Sequence, residues 1–299
     1  MKGSKSFRQA LQRAVAEHRL LVIPGTYDAL SALLVERTGF DCMFVGGFPV
    51  AGARYGLPDI GLAGFADIAA AVHDIIAATE VPVLVDIDDG YGDVKNAVRT
   101  VQTYERMGAS AVFLEDQAWP KRCGHMAGKK VVAAELMEAK IKATMAERLF
   151  PETLICVRTD ARAVLGFDEA LRRAERYIRA GAEAIFVEAP ESVAELEWLA
   201  KSFDVPQFVN PLVGGRTPIL SIKEFEQLGF SAICFGLETI MHAAKAMQTV
   251  LEDMRAGTFA LRDKGMSFED FKSLVRYDRW DRIDNRYGRP ENPPASLSS

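Results

Sequence analysis

Cysteine is scarce, with four residues in a chain of 299. Cys42, Cys156 and Cys234 sit inside short apolar runs (Cys-Met-Phe-Val, Leu-Ile-Cys-Val, Ala-Ile-Cys-Phe), where a free thiol behaves as a small buried hydrophobe. Cys123 alone lies in polar surroundings, so a disulfide framework is excluded. Long apolar runs are missing too: none reaches the ~18 residues of a membrane-spanning helix, and residues 1–8 lack the apolar core of a secretory signal. The expected location is therefore cytoplasmic, with no membrane partner. Basic clusters are likewise absent. Lysine and arginine total 36 against 41 acids, dispersed along a chain of net charge −5 and pI about 5.6, which argues against a nucleic-acid partner. Histidine is as rare as cysteine; His18, His73 and His242 fall in predicted helices on no common rim and carry no expected chemistry.

What is present is 49% hydrophobic and 26% charged, the composition of a soluble globular protein with ample material for a core. Ser6 to Arg19 has apolar residues at helical spacing. A rhythm follows. Short β-rich runs occur at Leu20 to Ile23, Cys42 to Val45, Val81 to Ile87, Ala111 to Leu114, Thr153 to Val157, Ala184 to Val187, Gln207 to Val209 and Ala232 to Phe235. Amphipathic stretches such as Ala29 to Arg37, Val94 to Met107, Ala133 to Ala146, Asp168 to Ala180 and Ser192 to Phe203 lie between them. Continuous apolar strands alternating with helices indicate a parallel sheet covered by helices. Eight such units predict an α/β fold closed as a (β/α)8 TIM barrel over residues 1–256. Gly39, Gly108, Gly181 and Gly229 fall where helix C-caps are needed. Beyond Arg255 the rhythm stops. Residues 257–299 read as a helical extension, with one helix over Ser267 to Arg286 bearing Phe268, Phe271, Val275 and Trp280, and a disordered tail from Gly288.

In such a barrel the active site lies at the C-terminal strand ends. Strand three ends Asp86-Ile-Asp88-Asp89-Gly90, strand four Glu115-Asp116-Gln117, strand five Arg158-Thr159-Asp160, strand six at Glu188 and strand seven at Asn210. Period-two alternation puts Asp86 and Asp88 on one face, where like charges repel unless a cation or protons intervene. A divalent cation answers this. All-oxygen ligation favours Mg2+ or Mn2+, which keep waters and so could be held partly through solvent by Glu115 and by Asp59. The alternative is that these acids cap helices or pair with Arg158. Asp89, beside glycines, reads as a turn residue, and Asp160 and Arg162 as partners in structural salt bridges.

The loop Trp119-Pro-Lys-Arg-Cys-Gly-His-Met-Ala-Gly-Lys129 has neither helical nor strand periodicity, yet gathers Cys123, His125 and the cations Lys121, Arg122, Lys129 and Lys130. Gly124 and Gly128 let its backbone move or approach a ligand. Cationic neighbours would favour the Cys123 thiolate, and a thiol near neutral pKa serves as acid, base or nucleophile. Zinc ligation by Cys123 and His125 is disfavoured for want of a second ligand pair. Gly214-Gly-Arg-Thr217 is either a phosphate loop or a plain glycine turn.

Asp86-Ile-Asp-Asp-Gly-Tyr-Gly, Leu114-Glu-Asp-Gln, Lys121-Arg-Cys-Gly-His and Arg158-Thr-Asp-Ala-Arg, in this order, resemble the isocitrate lyase/phosphoenolpyruvate mutase superfamily across the whole barrel. The likeness is to its short members, the 2,3-dimethylmalate lyases, methylisocitrate lyases, oxaloacetate hydrolases and carboxyphosphonoenolpyruvate mutases. The resemblance implies Mg2+ held by Asp86, with Asp59, Asp88 and Glu115 largely through water, and a gating loop whose Cys123 protonates a departing carbanion. It implies Cys123, Arg158 and Glu115 as catalytic residues. It further implies a small carboxylate substrate bound by Arg158, by amides of Gly46, Gly47 and Phe48, by Gly124 and His125 at a second carboxylate, and by Asp86, Lys121, Glu188 and Asn210. The implied assembly is a homotetramer exchanging C-terminal helices.

Departures from the pattern concern specificity. Met241 stands where methylisocitrate lyase has an arginine, Phe44 and Gly46 where it has tyrosine and serine, and Val213 where the family has glutamate. Strand eight closes on Phe235-Gly236-Leu237-Glu238, where relatives usually carry Tyr-Pro. With a bulky Phe48, these point to a dicarboxylate with an apolar C3 substituent. The expected function is a Mg2+-dependent carbon-carbon lyase acting on a substituted malate and releasing pyruvate or a related 2-oxo acid. Oxaloacetate hydrolysis and phosphonomutase chemistry are the alternatives.

Overall fold

The apolar runs form strands because their β-branched and aromatic side chains pack between two covered faces. In the computed structural model, which describes residues 6–288, these are β1 (Leu21–Thr26), β2 (Met43–Val45), β3 (Val83–Asp86), β4 (Ala111–Glu115), β5 (Leu154–Thr159), β6 (Ala184–Val187), β7 (Gln207–Val209) and β8 (Ala232–Phe235). They close in chain order into one parallel barrel, with β8 returning to β1. The helices are α1 (Phe7–Ala16), α2 (Ala29–Thr38), α3 (Gly47–Tyr55), α4 (Phe65–Ala78), α5 (Val94–Met107), α6 (Ala134–Glu147), α7 (Ala161–Leu165), α8 (Phe167–Ala180), α9 (Val193–Ser202), α10 (Ile222–Leu228), α11 (Glu238–Ala256), α12 (Phe268–Leu274) and α13 (Tyr277–Tyr287). The (β/α)8 barrel expected from the rhythm is the fold that forms.

Gly39, Gly108, Gly181 and Gly229 end α2, α5, α8 and α10 in the left-handed conformation, as their position before strands suggested. β1 runs past the expected Ile23 through Pro24 and Gly25. Gly25 is obligatory there, because an added Cβ would lie 2.5 Å from the carbonyl oxygen of Gly236, just past β8, and 2.8 Å from that of Phe235 on β8. α3 opens on Gly-Phe-Pro and shows no helical pattern; Pro49 is tolerated because a first-turn amide has no intrahelical partner.

Two apolar layers hold the barrel. One fills its interior with Phe44, Leu84, Phe113, Cys156, Phe186, Phe208 and Cys234, and includes Phe7 and Leu11 of α1, whose Phe7 ring stacks on Phe208 at 6.2 Å. The other lies between strands and helices, around Val85, Leu114, Ile141, Val157 and Ile185. The chain divides into two compact units, Met1–Ala246 and Met247–Ser299, so the division falls inside α11, somewhat before the boundary expected after 256. In the second unit the single helix expected over Ser267 to Arg286 is two. Arg276, in the left-handed conformation at φ 59°, separates α12 from α13 and resets the helix axis. The tail expected from Gly288 lies, after that residue, outside the described residues. No described helix is long and apolar enough to cross a membrane.

Candidate active site

The strand ends and the loop after β4 surround an open cavity. Asp59, Asp86, Glu115 and Glu188 bring acid to its wall, Lys121 and Arg158 bring positive charge, and Cys123, Gly124 and His125 come from the loop. Gly46, Gly47 and Phe48 line it at the start of α3, where unpaired backbone amides and the helix dipole suit a carboxylate. Asn210 also faces it. Of the residues singled out in the sequence for the site, Asp88 does not line this cavity.

Asp88 departs from the period-two argument. β3 ends at Asp86, and Asp88 turns into the left-handed region at φ 48°, so strand alternation no longer sets its direction. Its amide donates to Asp86 Oδ1 at 3.1 Å. Its carboxylate meets the Lys121 ammonium at 2.6 Å, and Asp59 Oδ1 meets the same ammonium at 2.6 Å. A lysine thus supplies much of the counter-charge that sequence reasoning assigned to a metal. Burial pushes Asp88 up to about 7 against the pull of Lys121. Burial alone would lower Lys121, but Asp88 and Asp59 outweigh it and hold the ammonium well above its ordinary range. Asp89 is a turn residue: its side chain accepts the Tyr91 amide at 2.9 Å.

The half-buried Asp86 and the buried Glu115 remain as acids that Lys121 does not touch in an ion pair. Burial raises both, Glu115 strongly despite the Arg158 guanidinium 3.4 Å from its Oε2. Register explains that contact, since Glu115 on β4 pairs directly with Arg158 on β5. Among the described residues no group of three or more His, Cys, Asp or Glu side chains closes into a ready metal cage. The donor set nonetheless fits a hard cation, because Glu115 Oε1 is buried without a hydrogen-bond partner and faces a cavity shared with Asp86.

Arg158 is the best-held cation. It donates from Nε and Nη2 to both oxygens of Asp160, at 2.9 and 3.0 Å, and its Nη2 lies 3.2 Å from Glu188 Oε2. Asp160 is itself oriented from behind, its amide donating to Asp116 Oδ1 at 2.9 Å. Asp116 Oδ2 takes hydrogen bonds from Thr159, Tyr177 and Arg173. Asp160 is therefore structural, as expected, in the specific sense that it aims Arg158. Arg162 ties Glu191 to Glu195, stitching neighbouring loops as expected.

The loop corrects one expectation. Cys123 is not biased toward thiolate: burial pushes its thiol up to about 11, helped by Asp59 and Glu188. The cations that suggested otherwise are engaged elsewhere, Lys121 by Asp59 and Asp88, and Lys129 by Asp160 at 2.7 Å. The thiol keeps its proton at neutral pH. Gly124 is required by closeness, since a Cβ there would lie 2.4 Å from Arg158 Nη2 and 2.5 Å from Glu188 Oε2. Burial lowers the His125 pKa, favouring the neutral ring. Its Nδ1 accepts the Arg216 amide at 3.4 Å, which leaves the proton on Nε2, 3.5 Å from Glu188 Oε1. The Gly214 to Thr217 segment is the glycine turn rather than a phosphate loop: Gly215 N–H bonds Leu212 O at 2.8 Å, and the Arg216 guanidinium is spent on Glu191.

Sequence reasoning missed the cavity's apolar side. Phe113, Phe186, Cys234 and Leu237 line it with Phe44 and Gly236, and the rings of Phe44 and Phe186 stand 5.5 and 5.4 Å from that of Phe113. They were legible only as core, because strand alternation sends the same face inward at every level. Val213 is 80% exposed and Met241 49% exposed, and neither lines the cavity.

A phosphoenolpyruvate phosphomutase family model matches residues 7–255. The chain is 35% identical over 279 residues to a 2,3-dimethylmalate lyase of Eubacterium barkeri, covering 93% of this chain and 96% of that one. It is 36% identical over 281 residues to a 2-methylisocitrate lyase of Aeropyrum pernix, covering 93% and 90%. Among solved structures, an oxaloacetate acetylhydrolase with 3,3-difluorooxalacetate is similar at TM-score 0.86 and 28% identity, covering 97% of this chain and 100% of that one. A phosphonopyruvate hydrolase with oxalate and Mg++ is similar at 0.84 and 28%, covering 94% and 99%. The chain belongs to the isocitrate lyase/phosphoenolpyruvate mutase superfamily and is an enzyme of its lyase and mutase kind.

Proposed function

We propose that this enzyme is a Mg2+-dependent lyase. It cleaves the C2–C3 bond of a 2-hydroxydicarboxylate with apolar substitution at C3, a 2,3-dimethylmalate-like compound, giving pyruvate or a related 2-oxo acid and a carboxylate. The observation that carries the reading is the protonated Cys123 thiol on the wall of a cavity that combines Asp86, Glu115 and Arg158 with phenylalanine rings. Mn2+ would suit the same oxygen donors.

Asp86 would hold the metal, with Asp59, Asp88 and Glu115 acting through water; when bound it supplies a Lewis acid for the substrate's 2-oxygen and adjoining carboxylate. Arg158, fixed by Asp160, and the amides of Gly46, Gly47 and Phe48 orient that carboxylate. The Gly124 amide and the His125 Nε2–H receive the second, beside Lys121, Glu188 and Asn210. As the bond breaks the 2-hydroxyl gives up its proton, through water, to the Glu115 carboxylate and Cys123 donates its own to C3, while the loop keeps bulk water from the carbanion. Phe44, Phe113, Phe186 and Leu237 offer no polar partner, which favours alkyl groups at C3. Met241, which stands where methylisocitrate lyase has an arginine, lies outside the cavity, as does Val213.

The test is a substrate panel of substituted malates and 2-methylisocitrate, read by lactate dehydrogenase coupling with Mg2+, with Mn2+ and with chelator. Metal-dependent 2-oxo acid from an alkylated malate is expected; its absence from every substrate overturns the reading. Oxaloacetate hydrolysis is the second reading, favoured by the structural likeness to the acetylhydrolase, and oxalate with acetate as products would establish it. Phosphorus NMR on a phosphoenolpyruvate-type substrate would reveal phosphonomutase chemistry.

The proposed assembly is a homotetramer with exchanged C-terminal helices. α11 buries no residue along its 19 positions, and Phe268, Trp280 and Tyr287 are exposed at 78, 61 and 72%. So much uncovered aromatic surface favours a neighbouring subunit as its partner.

A further inference from the structure

We infer that Lys129 is a positioning residue that ties the seating of the Cys123 loop to the aim of Arg158. Lys129 closes the loop on its C-terminal side and is nearly inaccessible. Its ammonium donates back to the Gly124 carbonyl and to Asp160 Oδ1, the latter at 2.7 Å. The other contacts of these two acceptors complete a ring. Asp160 grips Arg158 through both carboxylate oxygens. Gly124 packs so closely on Arg158 Nη2 that a methyl group would not fit between them. Gly124, Arg158, Asp160 and Lys129 therefore form one circuit, in which the lysine alone bonds both the loop backbone and the acid that orients the arginine.

A lysine buried to this degree must recover its lost hydration through such partners. Its full set of acceptors exists only while Gly124 sits against Arg158. Displacing the loop removes the Gly124 carbonyl and leaves the buried ammonium with Asp160. The ammonium thus favours the seated loop, whose other backbone anchors are Gln117, bonded to Arg122 O and N at 2.8 and 3.0 Å, and the Cys123 amide, which donates to Asp59 O at 3.2 Å. Asp116 and its partners hold Asp160 from the opposite side and do not touch the loop, so loss of Lys129 leaves Arg158 its carboxylate but unties the loop from it.

The inference rests on Cys123 belonging to the proposed site, and its test is read without turnover. Iodoacetamide labelling of each cysteine is followed by peptide mass spectrometry in wild type, Lys129→Met, Lys129→Gln and Lys129→Arg. Cys42, Cys156 and Cys234 are buried and report on the fold as a whole. The expected result is Cys123 labelling about tenfold faster in Lys129→Met, less so in Lys129→Gln, which keeps a donor, and near wild type in Lys129→Arg, with the buried thiols silent throughout. An unchanged Cys123 rate in Lys129→Met and Lys129→Gln overturns the inference. So does concerted labelling of all four thiols, or failure of both variants to fold, since either would make the lysine a support of the whole barrel. Because labelling needs no substrate, a negative result here leaves the lyase reading standing, and an inactive substrate panel leaves this circuit standing.

Discussion

Cys123 and the acids around it were legible as residue types, but their ionisation was not. Loop composition suggested a thiolate, whereas burial and the engagement of Lys121 and Lys129 with distant carboxylates keep the proton on sulfur. A proton donor needs that state. Cys123→Ser should lower kcat by about two to three orders of magnitude with an unchanged melting temperature, measured by coupled assay and calorimetry. Asp160 shows the opposite shift. Burial alone would raise it, but Arg158 and Lys129 outweigh burial and bring it down to about 2 from 3.8. A depressed carboxyl stabilises the fold fully above its unfolded pKa and loses that contribution as pH falls through the folded value, a difference of about 2 kcal/mol. Wild type should thus exceed Asp160→Asn in urea-unfolding stability at pH 6, and the gap should narrow steadily from about pH 4 towards pH 2.

Elements were easier to read than their ends. β6, β7 and β8 and α5 have the bounds that periodicity gave, because each is flanked by glycine, proline or polar residues. β1 and α3 resisted, since Pro24, Gly25, Gly47 and Pro49 are tolerated only for tertiary reasons, a close β8 carbonyl and a first-turn amide. The same limit hid the direction of Asp88, where a left-handed residue ended the alternation one residue too early. The glycine caps carried reliable information because their cost is local. Gly39 has φ 86° and nothing within 4 Å of an added Cβ, so it isolates that cost. Gly39→Ala should destabilise the barrel by about 1 kcal/mol with an unchanged m-value in urea, and no loss of activity at 25 °C is expected.

At the scale of the molecule, the barrel was visible from the chain alone because its eight units repeat one pattern. The active-site ion pairs were not, because Lys121 with Asp59 and Lys129 with Asp160 join residues far apart in sequence. The proposed tetramer gives a whole-molecule expectation: a chain ending at Ala256 should run at a smaller assembly mass than the full chain by light scattering, since α12 and α13 carry much of the exposed aromatic surface. Lys121 has a further consequence at this scale. The charge that balances Asp59 and Asp88 is carried by the same segment as the thiol, so withdrawing that segment strips the rim of a cation and leaves it electronegative. A cavity emptied of that ammonium would then be more attractive to a divalent ion than a covered one. On the proposed function, the position of one ammonium group would therefore favour metal entry while the loop is withdrawn.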